Sequence, residues 1–308
     1  SKQIRIKPAY LVSTEASGRN FYNNFNYNFF KILTIYFMST LLIIFLLTLT
    51  NIRLLDSLHL AFTTISSGGF IPEKNLSNIV RNDLQIFILS ITLLFPLINF
   101  YLFFKIFTRQ FKFNEQQEDL HLIIIIVLLT LIFYFFIIPN ETISSVFLSV
   151  VSSVTTSGIS TYSSNFDVSL FFILLTIIGG SVISTSSGLK YVRFYILLKV
   201  SFNEIYKLVK PINISNLNLF QPETKIDDED SKIAFLVFIS FIIAVFFLSS
   251  ILTLDDISFE NSFKLSILTL TNTVNSQIYS LNDLSFFDLN TTTKISLITF
   301  MILAKIEI

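Results

Sequence analysis

The sequence predicts an all-α membrane protein assembled from repeated units of span, re-entrant loop and span. Three observations carry that prediction. Apolar residues make up 52% of the 308 residues and charged residues only 14%, where ordinary soluble domains carry about 25% charged residues. Uncharged runs of spanning length recur along the chain. Between alternate runs stands a shorter stretch ending in a Ser/Thr/Gly/Asn cluster.

A helix that crosses a bilayer needs about 20 mostly apolar residues. Segments 32–52, 84–104, 122–140, 168–189 and 233–254 meet or approach that length, and a sixth apolar run begins at Ile295. The mean hydropathy of +0.70 agrees with lipid as the solvent. The N-terminal stretch is polar and basic (Lys2, Arg5, Lys7, Arg19) and has no apolar run followed by a small-residue cleavage site. It reads as a cytosolic segment or the edge of a fragment.

The shorter stretches are 59–70, 143–159 and 262–279. Each begins as a helix-length, modestly apolar segment. The endings are Thr64-Ile65-Ser66-Ser67-Gly68-Gly69-Phe70, Thr155-Thr156-Ser157-Gly158-Ile159 and Asn272-Thr273-Val274-Asn275-Ser276. All are too short to span. As external loops they would need no special placement, but three in equivalent positions favour half-crossing helices followed by extended backbone. Such backbone is tolerated at membrane depth where it lines a water-filled path or is buried in protein. The chain then divides into a cytosolic segment 1–27, units at 28–112 and 120–210, a cytosolic linker 211–231 and a third unit at 232–308.

Charge placement orients the units. With the N-terminus and segments 105–119 and 190–232 inside, fifteen of the 21 Lys and Arg residues lie on that face, and Arg53, Lys74, Arg81, Lys264 and Lys294 on the other. That asymmetry follows the positive-inside rule. The re-entrant loops then open outward, beside Asp56, Glu73, Asp83, Glu141, Asp167, Asp255, Asp256 and Glu260, which would raise the local cation concentration.

Several functions are disfavoured at this level. The formal net charge is zero, so no nucleic-acid partner is implied. There are no cysteines, and the two histidines, His59 and His121, are far apart in sequence. With no nucleophile–base pair, nucleotide loop or metal cluster in view, an enzyme is not expected.

The loop chemistry instead suits a cation path. Dehydrating K+ requires rings of oxygen ligands, chiefly backbone carbonyls. Aiming successive carbonyls at one axis needs backbone with φ > 0, which glycine reaches without penalty. Gly69 and Gly158 stand where such a strand needs them. In the third loop the corresponding position reads as Asn275, and Asn tolerates the left-handed region better than other non-Gly residues.

At these residues the chain resembles the Trk/Ktr/HKT family of potassium transporters, and in particular its membrane subunit. Segment 58–107 resembles the second family repeat, through residues 64–70 and Ile98-Asn99-Phe100. Segment 145–210 resembles the third and is the most diagnostic. It carries Thr155-Thr156-Ser157-Gly158, then Ile178-Gly179-Gly180-Ser181-Val182-Ile183-Ser184-Thr185-Ser186-Ser187-Gly188-Leu189-Lys190, with Arg193 following. The family pattern there is GG-x-x-G-S-T-x-G-G-[IL]-K-x-x-R. The C-terminal Leu303-Ala304-Lys305-Ile306-Glu307-Ile308 resembles part of the fourth repeat.

The resemblance implies a pseudo-fourfold pore and a selectivity filter at Thr64, Ile65, Ser66, Ser67, Gly68, Gly69, Thr155, Thr156, Ser157, Gly158, Asn272, Thr273, Val274 and Asn275. It implies an intramembrane gate at Gly179, Gly180, Ser184, Thr185 and Gly188, with Lys190, Arg193 and Lys305 shaping the electrostatics beneath. It further implies K+ as the transported ion with no cofactor in this chain, and a multi-pass location in the cytoplasmic membrane. The implied partners are a second copy in a homodimer and a cytosolic nucleotide-binding regulatory subunit docking on basic inner segments, with 201–232 as its surface. Three departures are visible. No first-repeat filter precedes Ile32; Ile183, Ser186 and Ser187 stand where the family is richer in Gly; and Lys305 replaces an arginine. These leave room for a Na+-permeable or poorly selective relative, and for a degenerate, non-conducting membrane scaffold.

Overall fold

A computed structural model describes residues 18–73, 75–107, 117–162, 166–209, 219–220, 226, 228–255, 257–274, 277–281 and 289–305. Its helices run in the order α1 Gly18–Leu49, α2 Leu54–Ile65, α3 Asp83–Thr92, α4 Phe100–Phe107, α5 Gln117–Ile132, α6 Ile143–Val154, α7 Phe166–Ile178, α8 Tyr191–Val209, α9 Asp228–Leu254, α10 Phe259–Leu270 and α11 Thr291–Lys305. No strand occurs among the described residues. Among the described residues, three helices are long and apolar enough to cross a membrane: Ile32–Leu49 within α1, Gln117–Ile137 and Asp228–Leu254. The second of these consists of α5 and a π-helical turn, Phe133–Ile137, which continues it.

The polarity of the fold is that of a protein dissolved in lipid. Phe37, Leu41 and Phe45 of α1 and Leu236, Ile243 and Phe247 of α9 are exposed, whereas Ser149, Ser152 and Ser153 of α6 and Ser262, Ser266 and Thr269 of α10 are buried. Most of these interior hydroxyls are satisfied about one turn back, while Ser152 Oγ has no hydrogen-bond partner among the described residues. Ser149 Oγ donates to Ser145 O at 2.9 Å, Ser153 Oγ to Ser149 O at 2.8 Å, and Ser266 Oγ to Ser262 O at 2.6 Å. This local pairing lets a small polar side chain enter an apolar core without the desolvation cost of an unpaired group.

Each of α2, α6 and α10 is 12 residues long, too short to span. Each packs beside a long helix: α2 on α1, α6 on α5 and α10 on α9. Buried Ile43, Leu47, Leu60, Leu89, Leu93, Leu97, Ile126, Leu148 and Phe172 join them into one core. Helix entries are set locally. The Asn82 N–H donates to Gln85 Oε1 at the start of α3, and Gln85 Nε2 reaches across to Thr50 O at 2.9 Å, fixing α3 to the end of α1.

Two apolar runs that read as spans are broken helices. Segment 84–104 is α3 and α4 with turns between them, and segment 168–189 stays helical only to Ile178. The two breaks hydrogen-bond to each other. Phe100 N–H donates to Ile183 O at 3.0 Å, Ser181 N–H to Leu97 O at 3.0 Å, and Thr185 N–H to Pro96 O at 3.1 Å. Pro96 supplies no amide to continue its own helix, and the chain's freed groups find partners across the molecule instead.

Candidate functional site

The loops following α2, α6 and α10 share one backbone register. Gly68 N–H donates to Thr63 O at 2.9 Å, Ser157 N–H to Ser152 O at 3.0 Å, and Thr273 N–H to Leu268 O at 2.9 Å. One residue earlier, Ser67, Thr156 and Asn272 all sit in the left-handed region, with φ of 52°, 59° and 50°. One residue later come Gly69 and Gly158, both at φ 73°, and Val274. The glycine-equivalent position of the third loop is therefore Val274, not Asn275. Pairing Asn275 with these glycines, as the sequence suggests, sets the loop one residue out of register, because the backbone bonds that fix it are invisible in sequence. Asn275 lies outside the described residues.

These loops meet tightly. A Cβ built on Gly69 would overlap Ser157 O and lie 3.0 Å from Val274 Cβ. One built on Gly158 would overlap Val274 O and lie 3.2 Å from Thr273 Cγ2. Glycine is required at both positions by space as well as by backbone sign. Around the meeting point Thr64, Ile65, Ser67, Thr155, Thr156, Ser157 and Thr273 are buried, while Ser66 is exposed.

The segment between α7 and α8 lies against two of these loops. Thr185 Oγ1 donates to Ile65 O at 2.8 Å and lies 3.4 Å from Ser67 Oγ. Ser187 N–H donates to Thr156 Oγ1 at 3.0 Å. The segment is also tied within itself: Gly180 N–H to Ser186 Oγ at 2.8 Å, Ser184 Oγ to Ser181 O at 2.6 Å, and Ser184 Oγ to Ser186 Oγ at 2.9 Å. It turns at Gly179 (φ 68°) and Gly188 (φ 88°). A Cβ on Gly179 would meet Ser187 O at 2.5 Å, so the first turn is held by close backbone approach.

The three basic residues have different placements. Lys190 is buried, adopts φ 66°, and folds its ammonium back onto the segment, 2.7 Å from Ser186 O and 3.1 Å from Ser184 O. Lys305, at the end of α11, donates to Ser187 Oγ at 3.2 Å. Arg193 is half-buried and lines a small cavity with Gly188, Leu189, Val237, Phe241, Leu270 and Ala304. Two carboxylates unnoticed in sequence also belong here. Glu118 Oε1 accepts the Val182 N–H at 3.0 Å, and buried Asp119 accepts the Asn99 N–H at 3.1 Å. Their position in the first turn of α5 was the available signal, since acids at a helix start are common and draw no notice unless a broken span lies beside them.

Fold and site together define a helical membrane protein in which three half-length helices deliver loops to one point, with an irregular segment from a broken helix against them. No protein-family model matches the sequence. A protein of Methanocaldococcus jannaschii described as an uncharacterized cation transporter is 28% identical over 183 residues, covering 58% of this chain and 38% of that protein. The crystal structure of the potassium transporter TrkH from Vibrio parahaemolyticus superposes with a TM-score of 0.82 at 20% identity, covering 96% of this chain and 64% of TrkH. The chain thus spans less than two thirds of either protein, and its fold is that of TrkH over nearly its whole length.

Proposed function

We propose that this chain carries a monovalent cation across a membrane, with K+ as the favoured ion, through the place where the loops at 64–69, 155–158 and 272–274 meet. The observation that carries this reading is the shared register of the three loops, which repeats one left-handed turn at the end of three equal half-helices. Carbonyl and hydroxyl oxygens at such turns are the ligands a dehydrating cation needs. The cation transporter and TrkH similarities agree with it.

In this proposal the segment 179–188 is the gate, shut through Thr185 and Ser187, and Lys305 is a fixed positive charge beside it. The protein works in the cytoplasmic membrane as a homodimer, and a cytosolic nucleotide-binding subunit regulates it from the basic inner side. Valine in place of glycine at 274 favours a second reading, in which the path is poorly selective and admits Na+.

Ion flux into liposomes containing the full natural protein tests both. Rubidium influx above protein-free liposomes, reduced by external K+ far more than by Na+, is expected. Equal competition by Na+ selects the second reading, and absence of influx under every ion condition overturns the transport proposal. Lys305→Met should raise influx and Lys305→Arg should leave it close to the parent rate.

A further inference from the structure

We propose that Val274 is the residue that limits passage through this path, because its side chain fills the space between the first and third loops. The inference rests on the transport reading above. The second loop borders both others: its Ser157 carbonyl crowds Gly69, and its Gly158 crowds the Val274 carbonyl. The first and third loops flank it and would face one another across any opening. They instead approach closely, with Val274 Cβ 3.0 Å from the position a Cβ on Gly69 would take.

Chemistry makes this contact consequential. Valine presents two methyl groups where a dehydrated ion requires oxygen, so an ion at this level lacks ligands on one side. A β-branched side chain is stiff at χ1 and does not readily swing aside. Valine is also a poor occupant of the left-handed region that Gly69 and Gly158 adopt, and the third loop departs from the backbone course of the other two at Val274. Val274 is half-buried, with its Cβ near Gly69 and its carbonyl oxygen near Gly158. Passage then requires displacement of the third loop, and the residue sets the rate.

Rubidium influx into liposomes containing the full chain, compared for the parent, Val274→Ala and Val274→Gly, tests this. Val274→Gly should raise influx about tenfold or more, equivalent to about 1.4 kcal/mol off the barrier, with Val274→Ala between the two. A brisk parent rate unchanged in Val274→Gly overturns the inference and leaves the transport reading standing. No influx in the parent under any ion condition overturns the transport reading and this inference with it. Because the chain contains no cysteine, Val274→Cys gives a second measurement that does not depend on the glycine variant folding. A thiol-reactive reagent should abolish whatever influx that variant supports, and labelling without effect on influx counts against the placement of Val274 in the path.

Discussion

The hydroxyl of Thr185 donates to the carbonyl oxygen of Ile65 at 2.8 Å, joining residues 120 positions apart. The bond ties the irregular segment of the broken α7–α8 helix to the first of the three converging loops. Ser67 Oγ lies 3.4 Å from the same hydroxyl, so Thr185 sits between two groups of one loop.

Thr185→Val keeps the shape of the side chain and removes this donor. A hydrogen bond of this kind contributes about 1 kcal/mol net, so the segment should open roughly fivefold more often. Amide hydrogen exchange at Ser181 and Thr185, whose N–H groups are bonded to Leu97 and Pro96, should speed up by about that factor. Unchanged exchange at both amides would show that Thr185 does not hold the segment.

Lys190 offers a test in which the usual order of substitutions reverses. Its ammonium holds the Ser184 and Ser186 carbonyls, and its backbone sits at φ 66°. Lys190→Ala loses the bonds to a charged donor, about 1.5–3 kcal/mol, and keeps the left-handed strain. Lys190→Gly loses the same bonds but escapes a backbone penalty of about 1–2 kcal/mol. Thermal unfolding in detergent should therefore rank parent above Gly above Ala. A ranking with Ala above Gly contradicts the backbone assignment.

Adjacent glycines should behave unequally. Gly69→Ala must leave the left-handed region or pay about 1–2 kcal/mol, and it also drives a methyl into the Ser157 carbonyl. At Gly68 the one tight contact of a Cβ would be the Ser66 hydroxyl at 3.0 Å, a side chain that can shift. Gly68→Ala should fold and elute as the parent does, while Gly69→Ala should lose most of its folded yield. Equal yields would falsify the close approach of the first and second loops.

Much of this arrangement was legible because lipid imposes simple rules on sequence. Long apolar helices and half-length helices ending in Ser/Thr/Gly clusters announce themselves through hydropathy and length, as at 228–254 and 143–154. The break at 93–99 did not, because Leu93, Leu94, Phe95 and Leu97 are as apolar as any helix and Pro96 alone interrupts them. What ends that helix is far away: Ile183 accepts from Phe100, and Asp119 accepts from Asn99. The register of the third loop was hidden for a related reason. Counting from the end of each 12-residue helix aligns Thr271 with Thr155 and puts Val274 beside Gly158, but the helix end is known only once the carbonyl of Leu268 is seen to receive Thr273.

The segment between α7 and α8 braces itself from within, through Ser184, Ser186 and the folded-back ammonium of Lys190. A strand so cross-tied does not melt residue by residue. If the segment gates the path as proposed, it swings as one flap about Gly179 and Gly188, with its outside attachments released together. For a path of the kind proposed, such a flap has two resting places and little between them. Recorded one molecule at a time, the current would switch between two fixed levels rather than drift through a continuum.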